Sequence, residues 1–183
     1  MLYQTDSTME IMNSTHEDMD AIFQLYEAGT AYMKQVARKH WQGFDRNMVA
    51  REITEGRQWK ILVDGVVACV FVTTFHDPLI WQEKDKDPAI YLHRIATHPA
   101  FRGQGMVRHI AAWAATHARK HNKQYIRMDT GSGNDKLNQY YISCGFTYLG
   151  IVATPDTPEL PAHYRNGSSS LFEIKLPPAA VTS

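Results

Sequence analysis

Apolar residues recur every three or four positions through the first third of the chain, after a short alternating segment over residues 9–15. The alternation predicts a first strand, and the longer period is that of a helix with one apolar face. The pattern therefore predicts helices over residues 16–29, 30–41 and 45–56. Gly29 is expected to end or bend the first of them, because glycine is a poor helix former.

The pattern changes over residues 59–75, where β-branched and apolar residues become almost continuous. Asp64-Gly65 interrupts this run, and such a pair supplies the positive φ angles of a tight hairpin turn. The run therefore predicts a strand, a turn and a second strand. Residues 76–88 are predicted to be a polar, proline-bounded loop. Residues 89–99 are predicted to be a strand that ends at a proline, which has no amide hydrogen for a ladder.

Helical and extended patterns alternate in the second half of the chain. Apolar stripes at helical spacing predict helices from Gln104 to about His121 and over residues 135–145, the latter ending at Gly145. Strands are predicted over residues 123–130, 146–153 and 169–176, a proline-rich loop over 154–168 and a frayed tail over 177–183.

This order of elements predicts an α+β fold in one domain that spans residues 1–183. Its mixed central sheet is expected to carry helices on both faces. The strand, helix and strand from Tyr91 to Thr130 are expected to form a right-handed parallel crossover.

Composition narrows the function classes. The 183 residues include 19 Lys and Arg against 19 Asp and Glu, so the formal net charge is +0. This balance argues against nucleic acid and against an anionic membrane as the partner. The sequence has no membrane-length apolar run and no signal-peptide pattern, and Cys69 and Cys144 form no disulfide framework. A soluble cytoplasmic protein is therefore expected.

A candidate anion site follows the strand that ends at Pro99. Gly103 and Gly105 lie at the turn into the next helix, between Arg102 and Arg108. A helix N-terminus has unpaired amides and a partial positive charge, and glycines let a phosphate approach the backbone closely. Two rival phosphate motifs fail, because a dinucleotide fingerprint needs a glycine in place of Arg108 and a Walker loop needs Gly-Lys-Ser/Thr.

The segment IATHPAFRGQGMVRHI resembles the coenzyme-A-binding motif of the GCN5-related N-acetyltransferase (GNAT) family, Arg/Gln-x-x-Gly-x-Gly/Ala. Arg102 and Gly105 match this motif, and Val107 departs from its last position. A second segment, NDKLNQYYISCGF, resembles the family's helix Asn-x-x-Ala-x-x-Leu-Tyr-x-x-x-Gly-Phe. Its matching residues are Asn134, Tyr141, Gly145 and Phe146. The resemblance is specific over residues 91–150.

The resemblance implies that an acetyl group passes from acetyl-CoA to a primary amine of a small molecule or peptide, by direct attack in a ternary complex. It implies that backbone amides of Ile95, Ala96 and Thr97 pair with the pantetheine arm, at a distortion that separates this strand from the next. The expected pyrophosphate turn comprises Arg102, Gly103, Gln104, Gly105, Met106, Val107 and Arg108. Asn134 is expected to hold either the coenzyme or the start of its helix.

Val107 supports an alternative function. Its side chain is bulkier than the family's glycine or alanine and is expected to crowd the pyrophosphate. A degenerate domain that binds acyl-CoA as a sensor or interaction module, without turnover, is therefore the second hypothesis.

The implied reaction needs an acid and a base. An alkyl amine is mostly protonated at neutral pH, so it must lose a proton before it attacks. His93 is the candidate base, since the strand YLHRIATH resembles that of the arylalkylamine branch. Alternation is expected to place His93 on the same side of the strand as Ile95. Tyr141 aligns with the family's tyrosine near the coenzyme sulfur and is the candidate acid, with Tyr140 as its competitor.

Several residues are candidates for the acceptor site. Asp129 is expected either to attract a cationic substrate or to cap the loop that follows it. His163 and Tyr164 lie in a loop that is expected to roof this site, and Trp41 and Trp81 either roof it too or only pack.

No metal site is predicted, because His117 and His121 are four residues apart but lack a third ligand. Exposed sheet edges and apolar helices permit a homodimer.

Overall fold

Seven strands form one mixed sheet in the computed structural model, which describes residues 7–37 and 39–180. The spatial order of the strands is β1-β2-β3-β4-β5-β7-β6. Only β4 and β5 pair in parallel, and the other neighbours are antiparallel. The strands are β1 (Met9–Asn13), β2 (Gln58–Val63), β3 (Val66–Thr74), β4 (Ala89–Thr97), β5 (Tyr125–Gly131), β6 (Thr147–Ala153) and β7 (Ser168–Lys175).

Five α-helices accompany the sheet in the described part of the chain. They are α1 (Met19–Val36), α2 (Arg46–Thr54), α3 (Pro78–Trp81), α4 (Met106–Lys120) and α5 (Asp135–Ser143). None of the described helices is both long enough and apolar enough to cross a membrane. Residues 177–180 have no regular secondary structure, and the rest of the predicted tail lies outside the described residues.

The two faces of the sheet carry separate cores, as the predicted fold class requires. On one face, Ile110 of α4 packs with Phe71 and Ile90 of the sheet. On the other face, helices α1 and α2 pack against Val70 and Ala96. The predicted α+β architecture with helices on both faces is therefore confirmed.

Gly29 was expected to end or bend the first helix, but the helix does not end there. Helix α1 continues through Gly29 to Val36. A Cβ on Gly29 would lie 2.9 Å from Cζ3 of Trp41. Close packing of the indole against the helix backbone is the reason for glycine at this position.

The prediction that residues 76–88 form only a polar loop is wrong. It contains helix α3 and a 3₁₀ helix over Gln82–Lys86. Ile80 and Trp81 are buried against Tyr91 of β4. The sequence pattern did not predict this helix, because its two buried apolar residues, Ile80 and Trp81, are followed by a run of charged residues.

Strand β4 contains a β-bulge. Val72 pairs with His93 and Val70 pairs with Ala96, so Arg94 and Ile95 together face Phe71. Arg94 has a positive φ of 46°. The extra residue reverses the alternation, and Ile95 packs on the α4 side while Ala96 packs on the α1 side. The expectation that His93 and Ile95 share one side of the strand is therefore wrong.

Strands β4 and β5 separate just beyond the last regular pairs. Their parallel register runs only from Ala89 with Tyr125 to Leu92 with Met128. Both strands continue, β4 to Thr97 and β5 to Gly131. The two strand ends diverge and leave an opening in the sheet, which we call the strand gap.

Candidate active site

A turn with exposed backbone donors follows β4. Gly103 and Gly105 have positive φ angles of 78° and 73°, and α4 begins at the next residue. The amides of Gly103, Gly105 and Met106 have no hydrogen-bond acceptor within the described parts of the chain, and the Val107 amide faces the Tyr140 hydroxyl. We call residues 102–107 the glycine turn. Three free donors at a helix N-terminus suit an anionic group such as a pyrophosphate.

Two exposed arginines flank the glycine turn. The Arg102 guanidinium donates to the backbone oxygen of Ala28 at 3.2 Å and lies 4.5 Å from the Tyr32 ring centroid. The Arg108 guanidinium donates to Ser143 Oγ at 3.3 Å. Neither arginine has a carboxylate partner among the residues described, so both charges are free for an anion.

The Val107 side chain does not crowd the turn as expected. Only 6% of Val107 is exposed, and it packs in the core beneath α4 with Met106 and Ile110. The bulkier side chain is therefore accommodated by the core, and the expectation drawn from its size is wrong.

Tyr141 lies on the α4 side of the sheet, close to the strand gap. Its ring centroid is 5.2 Å from that of Phe172 and 6.5 Å from that of Phe146. Burial raises the pKa of Tyr141 above its usual range, and the nearby Tyr140, Tyr164 and Asp129 raise it further. The phenol therefore stays protonated at neutral pH. Its competitor Tyr140 is 38% exposed.

Three titratable side chains meet on the opposite face of the sheet. One ligand atom from each of Asp77, His93 and Asp129 lies within 4.8 Å of the others. His93 Nε2 is 3.5 Å from Asp77 Oδ2. We call these residues the carboxylate–histidine cluster. Asp129 and His93 both stand where β4 and β5 part, so the cluster borders the strand gap.

Burial perturbs every pKa in this cluster. It raises the pKa of Asp77 to about 8, helped by the charges of Asp129 and Asp85. It raises the pKa of Asp129 to about 6. Burial lowers the pKa of His93 to about 4, helped by the charges of the Arg94 and Arg57 guanidinium groups. Uncompensated carboxyls beside a neutral imidazole make this site complementary to a cation.

The predicted acceptor loop is placed next to the cluster. Tyr164 ends a 3₁₀ helix in the β6–β7 connection, and its ring centroid is 4.4 Å from that of His163. Burial raises the pKa of Tyr164, and the charge of Asp129 adds to this rise. Trp41 is buried among the α1 and α2 side chains, so it packs as well as bordering this region.

Two other candidate residues, Asn134 and Trp81, make contacts that give them a structural role. Asn134 Oδ1 accepts a hydrogen bond from the Leu137 amide at 3.1 Å, which is the helix-capping alternative. Trp81 is 2% exposed, and the Arg127 guanidinium lies 4.7 Å from its ring centroid. Trp81 therefore packs and does not roof the site.

Sequence reasoning missed Asp77. It lies in the segment predicted to be a polar, proline-bounded loop, although Asp-Pro at positions 77 and 78 is a common start of a helix. Its proximity to His93 depends on the pairing of β3 with β4, which no local pattern reveals. The same spacing of ligand atoms would also accommodate a metal ion, whereas the sequence predicted no metal site.

Comparison with known proteins gives a consistent result. A sequence profile described as the acetyltransferase (GNAT) family matches residues 20–146. The chain is 25% identical over 149 residues to YesJ, an uncharacterised N-acetyltransferase of Bacillus subtilis (strain 168), and the alignment covers 77% of this chain and 83% of YesJ.

Solved structures share the fold. A GNAT-family acetyltransferase of Listeria monocytogenes 4b F2365 has a TM-score of 0.72 at 22% identity, over 92% of this chain and 95% of that one. The yncA protein of Salmonella typhimurium, solved with its cofactor acetyl-CoA, has a TM-score of 0.66 at 17% identity, over 97% of this chain and 99% of that one.

Proposed function

Because the chain belongs to the acetyltransferase (GNAT) family, we propose that it transfers the acetyl group of acetyl-CoA directly to a primary amine of a small molecule or peptide. The observation that carries this proposal is the strand gap. The glycine turn follows β4 at one end of the gap, Tyr141 lies beside it, and the carboxylate–histidine cluster borders its other face.

The glycine turn and the gap fit the coenzyme. The free amides of Gly103, Gly105 and Met106 would hold its pyrophosphate, with Arg102 and Arg108 adding charge-assisted bonds. The backbone of Ile95, Ala96 and Thr97 borders the gap beyond the last β4–β5 pair and would hold the pantetheine arm. When bound, the coenzyme supplies an acetyl group activated as a thioester.

The carboxylate–histidine cluster would receive the acceptor amine. A protonated amine is a cation, and the carboxyls of Asp77 and Asp129 have no cationic partner among the residues of the structure. A bound ammonium group would favour their ionised forms. His93 is neutral at pH 7, so its free nitrogen can accept the proton, and Asp77 at 3.5 Å would stabilise the resulting imidazolium.

Tyr141 would donate its phenolic proton to the thiolate of the leaving coenzyme, on the other face of the sheet. A raised pKa keeps this phenol protonated until it meets developing negative charge. No cysteine of the described chain is suited to act as an intermediate nucleophile, since Cys69 and Cys144 are buried and burial raises the pKa of Cys69 to about 12. Transfer without an acetyl-enzyme follows.

The sensor hypothesis has lost its support. It rested on the bulk of Val107 at the turn, and this side chain lies in the core. Cytoplasmic location and a homodimer stay predictions from the sequence.

The test is to incubate the protein with acetyl-CoA and a panel of primary amines and to follow the release of free thiol. Turnover with at least one amine is expected, and it should survive treatment with EDTA. Binding of acetyl-CoA without turnover on any amine would favour the sensor hypothesis. Loss of turnover with EDTA would instead assign the cluster to a metal ion.

The role of His93 is tested by the pH dependence of kcat/KM. In the wild type, protonation of the base gives an acidic limb. His93→Ala is expected to lose this limb together with most of its activity. An unchanged limb in the variant would show that another group accepts the proton.

A further inference from the structure

A polar cavity of about 450 Å³ opens between the α1–α2 connection and the β6–β7 connection. This volume suits a small molecule. No acidic side chain lines the cavity, although the chain as a whole has equal numbers of acidic and basic residues. We call it the basic pocket, and its polar lining residues are Lys39, His40, Gln42, His163, Arg165 and Asn166.

The two permanent charges of the basic pocket are uncompensated. Neither Lys39 nor Arg165 forms an ion pair with any residue of the described ranges. Arg165 is held in place because its Nε donates to the backbone oxygen of Leu160 at 2.7 Å. The Lys39 ammonium lies against Gly167, where a Cβ would overlap it. Cations without counter-ions are complementary to an oxyanion.

His163 lines the pocket and has an unsatisfied polar atom. Its Nε2 is shielded from solvent and has no hydrogen-bond partner among the described residues. Burial lowers the pKa of His163 to about 4, so the ring is neutral. The neutral ring adds no charge, so the positive character of the pocket comes from Lys39 and Arg165.

The basic pocket lies next to the carboxylate–histidine cluster. The rings of His163 and Tyr164 are in contact, and the charges of Asp129 and Asp77 both act on the Tyr164 phenol. One aromatic side chain therefore separates a region that is complementary to an anion from a region that is complementary to a cation.

We infer that the acceptor is a zwitterion, an amine that also carries a carboxylate or phosphate several bonds away from the amine. Lys39 and Arg165 bind its oxyanion in the basic pocket, while its ammonium group lies at Asp77 and Asp129. This inference rests on the proposed function, because it assigns the acceptor site of the same reaction. It disfavours a long polyamine, whose second cation would face two positive charges.

The experiment compares amines in matched pairs that differ only in the anion. Amino acids with the amine and carboxylate at opposite ends of a chain are set against their carboxamides, and ethanolamine phosphate against ethanolamine, so that carboxylate and phosphate are distinguished. We expect kcat/KM to be at least about tenfold higher for the anionic member of a pair, as charge-assisted hydrogen bonds require.

Two variants locate the effect. Lys39→Gln is expected to raise KM for the anionic amine about tenfold, with little change in kcat or in KM for its neutral partner. Arg165→Gln should act in the same direction, although it also removes bonds that hold the loop. Lys34→Gln is the matched control, because Lys34 is an exposed lysine of α1 that does not line the pocket.

Equal kcat/KM within every pair would overturn the inference, and so would an anion preference that survives in both variants. If no amine is acetylated, the proposed function fails, and the pocket is tested separately by calorimetry. The protein is then saturated with CoA to fill the glycine turn and titrated with inorganic phosphate. Binding that Lys39→Gln abolishes would uphold the oxyanion site, and absence of binding would refute it.

Discussion

At the scale of single residues, the candidate site separates two tyrosines that are adjacent in sequence. Tyr140 and Tyr141 share one helix, yet Tyr141 packs against Phe172 near the strand gap and Tyr140 is 38% exposed. Because their surroundings differ, the effect of a substitution at Tyr141 can be compared with that of the same substitution at Tyr140.

Tyr141→Phe is expected to lower kcat about 100-fold, since it removes the proposed proton donor. The dissociation constant of acetyl-CoA, measured by calorimetry, should change little because the ring is retained. Tyr140→Phe is the matched control for kcat and should leave kcat unchanged. Its hydroxyl lies beside the Val107 amide and the Arg108 charge, so it is not the control for coenzyme binding. Equal kcat in Tyr141→Phe and the wild type would contradict the role of the phenol.

The buried carboxyl of Asp77 is expected to lower the free energy of unfolding as the pH rises. Its pKa is raised to about 8 in the folded protein, against an ordinary value of 3.8. Between these values the unfolded state loses the proton first, so the wild type loses stability as the pH rises from about 4 to about 8. Asp77→Asn removes this loss.

The Asn variant is therefore expected to unfold at a higher temperature than the wild type at pH 8, and the difference should shrink toward pH 4. A relief of about 1 kcal/mol corresponds to about 2–4 °C for a chain of this length. Its acetylation rate should fall at the same time. Asp20→Asn, which removes an exposed carboxylate paired with Arg46, should leave the pH dependence as it is. A lower melting temperature for Asp77→Asn at pH 8 would contradict the argument.

At the scale of elements, the β-bulge of β4 is held by an ion pair with α2. The Arg94 guanidinium donates to both carboxylate oxygens of Glu52, and both side chains are largely buried. The same guanidinium lies 5.2 Å from the Phe44 ring centroid. Arg94 carries the positive φ of the bulge, so this pair stabilises the backbone that shapes the strand gap.

Glu52→Gln is expected to lower the free energy of unfolding by about 3 kcal/mol, since it leaves a buried guanidinium without its counter-charge. It should also raise KM for acetyl-CoA, because a relaxed bulge narrows the gap. Glu55→Gln disrupts only the exposed pair with Arg57 and should cost about 0.5 kcal/mol or less. A destabilised Glu52→Gln with unchanged KM would show that the bulge does not shape the coenzyme site.

At the scale of the whole molecule, one buried arginine joins three segments distant in sequence. Arg127 of β5 is 1% exposed, and its guanidinium donates to Glu173 of β7 at 2.7 Å and to the backbone oxygen of Lys84 at 2.6 Å. The aromatic rings of Trp81 and Tyr125 each lie 4.7 Å from it. This contact joins the segment that carries Asp77 to the centre of the sheet.

Arg127→Ala is expected to lower the free energy of unfolding by about 3–5 kcal/mol, because Glu173 loses its partner and a cavity forms. Arg127→Lys should restore little of this, since an ammonium lacks the planar fork that serves several acceptors. Urea denaturation measures both variants. Arg119→Ala, at an exposed position of α4, is the control with no expected loss. Equal stability of Arg127→Ala and the wild type would refute the structural role.

Sequence patterns predicted the structure correctly where it depends on residues that are close together in the chain. The hairpin at Asp64-Gly65 is present as predicted, and the helix predicted from Gln104 is present and begins at Met106. Each depends on residues a few positions apart, where φ preferences and the period of apolar side chains decide the structure. The family motifs over residues 91–150 are local in the same sense, and the family was identified from them.

The sequence by itself thus determined the fold class, the glycine turn and the family. The tertiary structure decided that a bulge at Arg94 turns Ile95 away from His93, that Asp77 meets His93 and Asp129, and that Lys39 and Arg165 share a pocket. The physical reason is that these contacts join segments tens of residues apart. Strand pairing and the packing of connecting loops set such contacts, and periodicity along the chain carries no information about either.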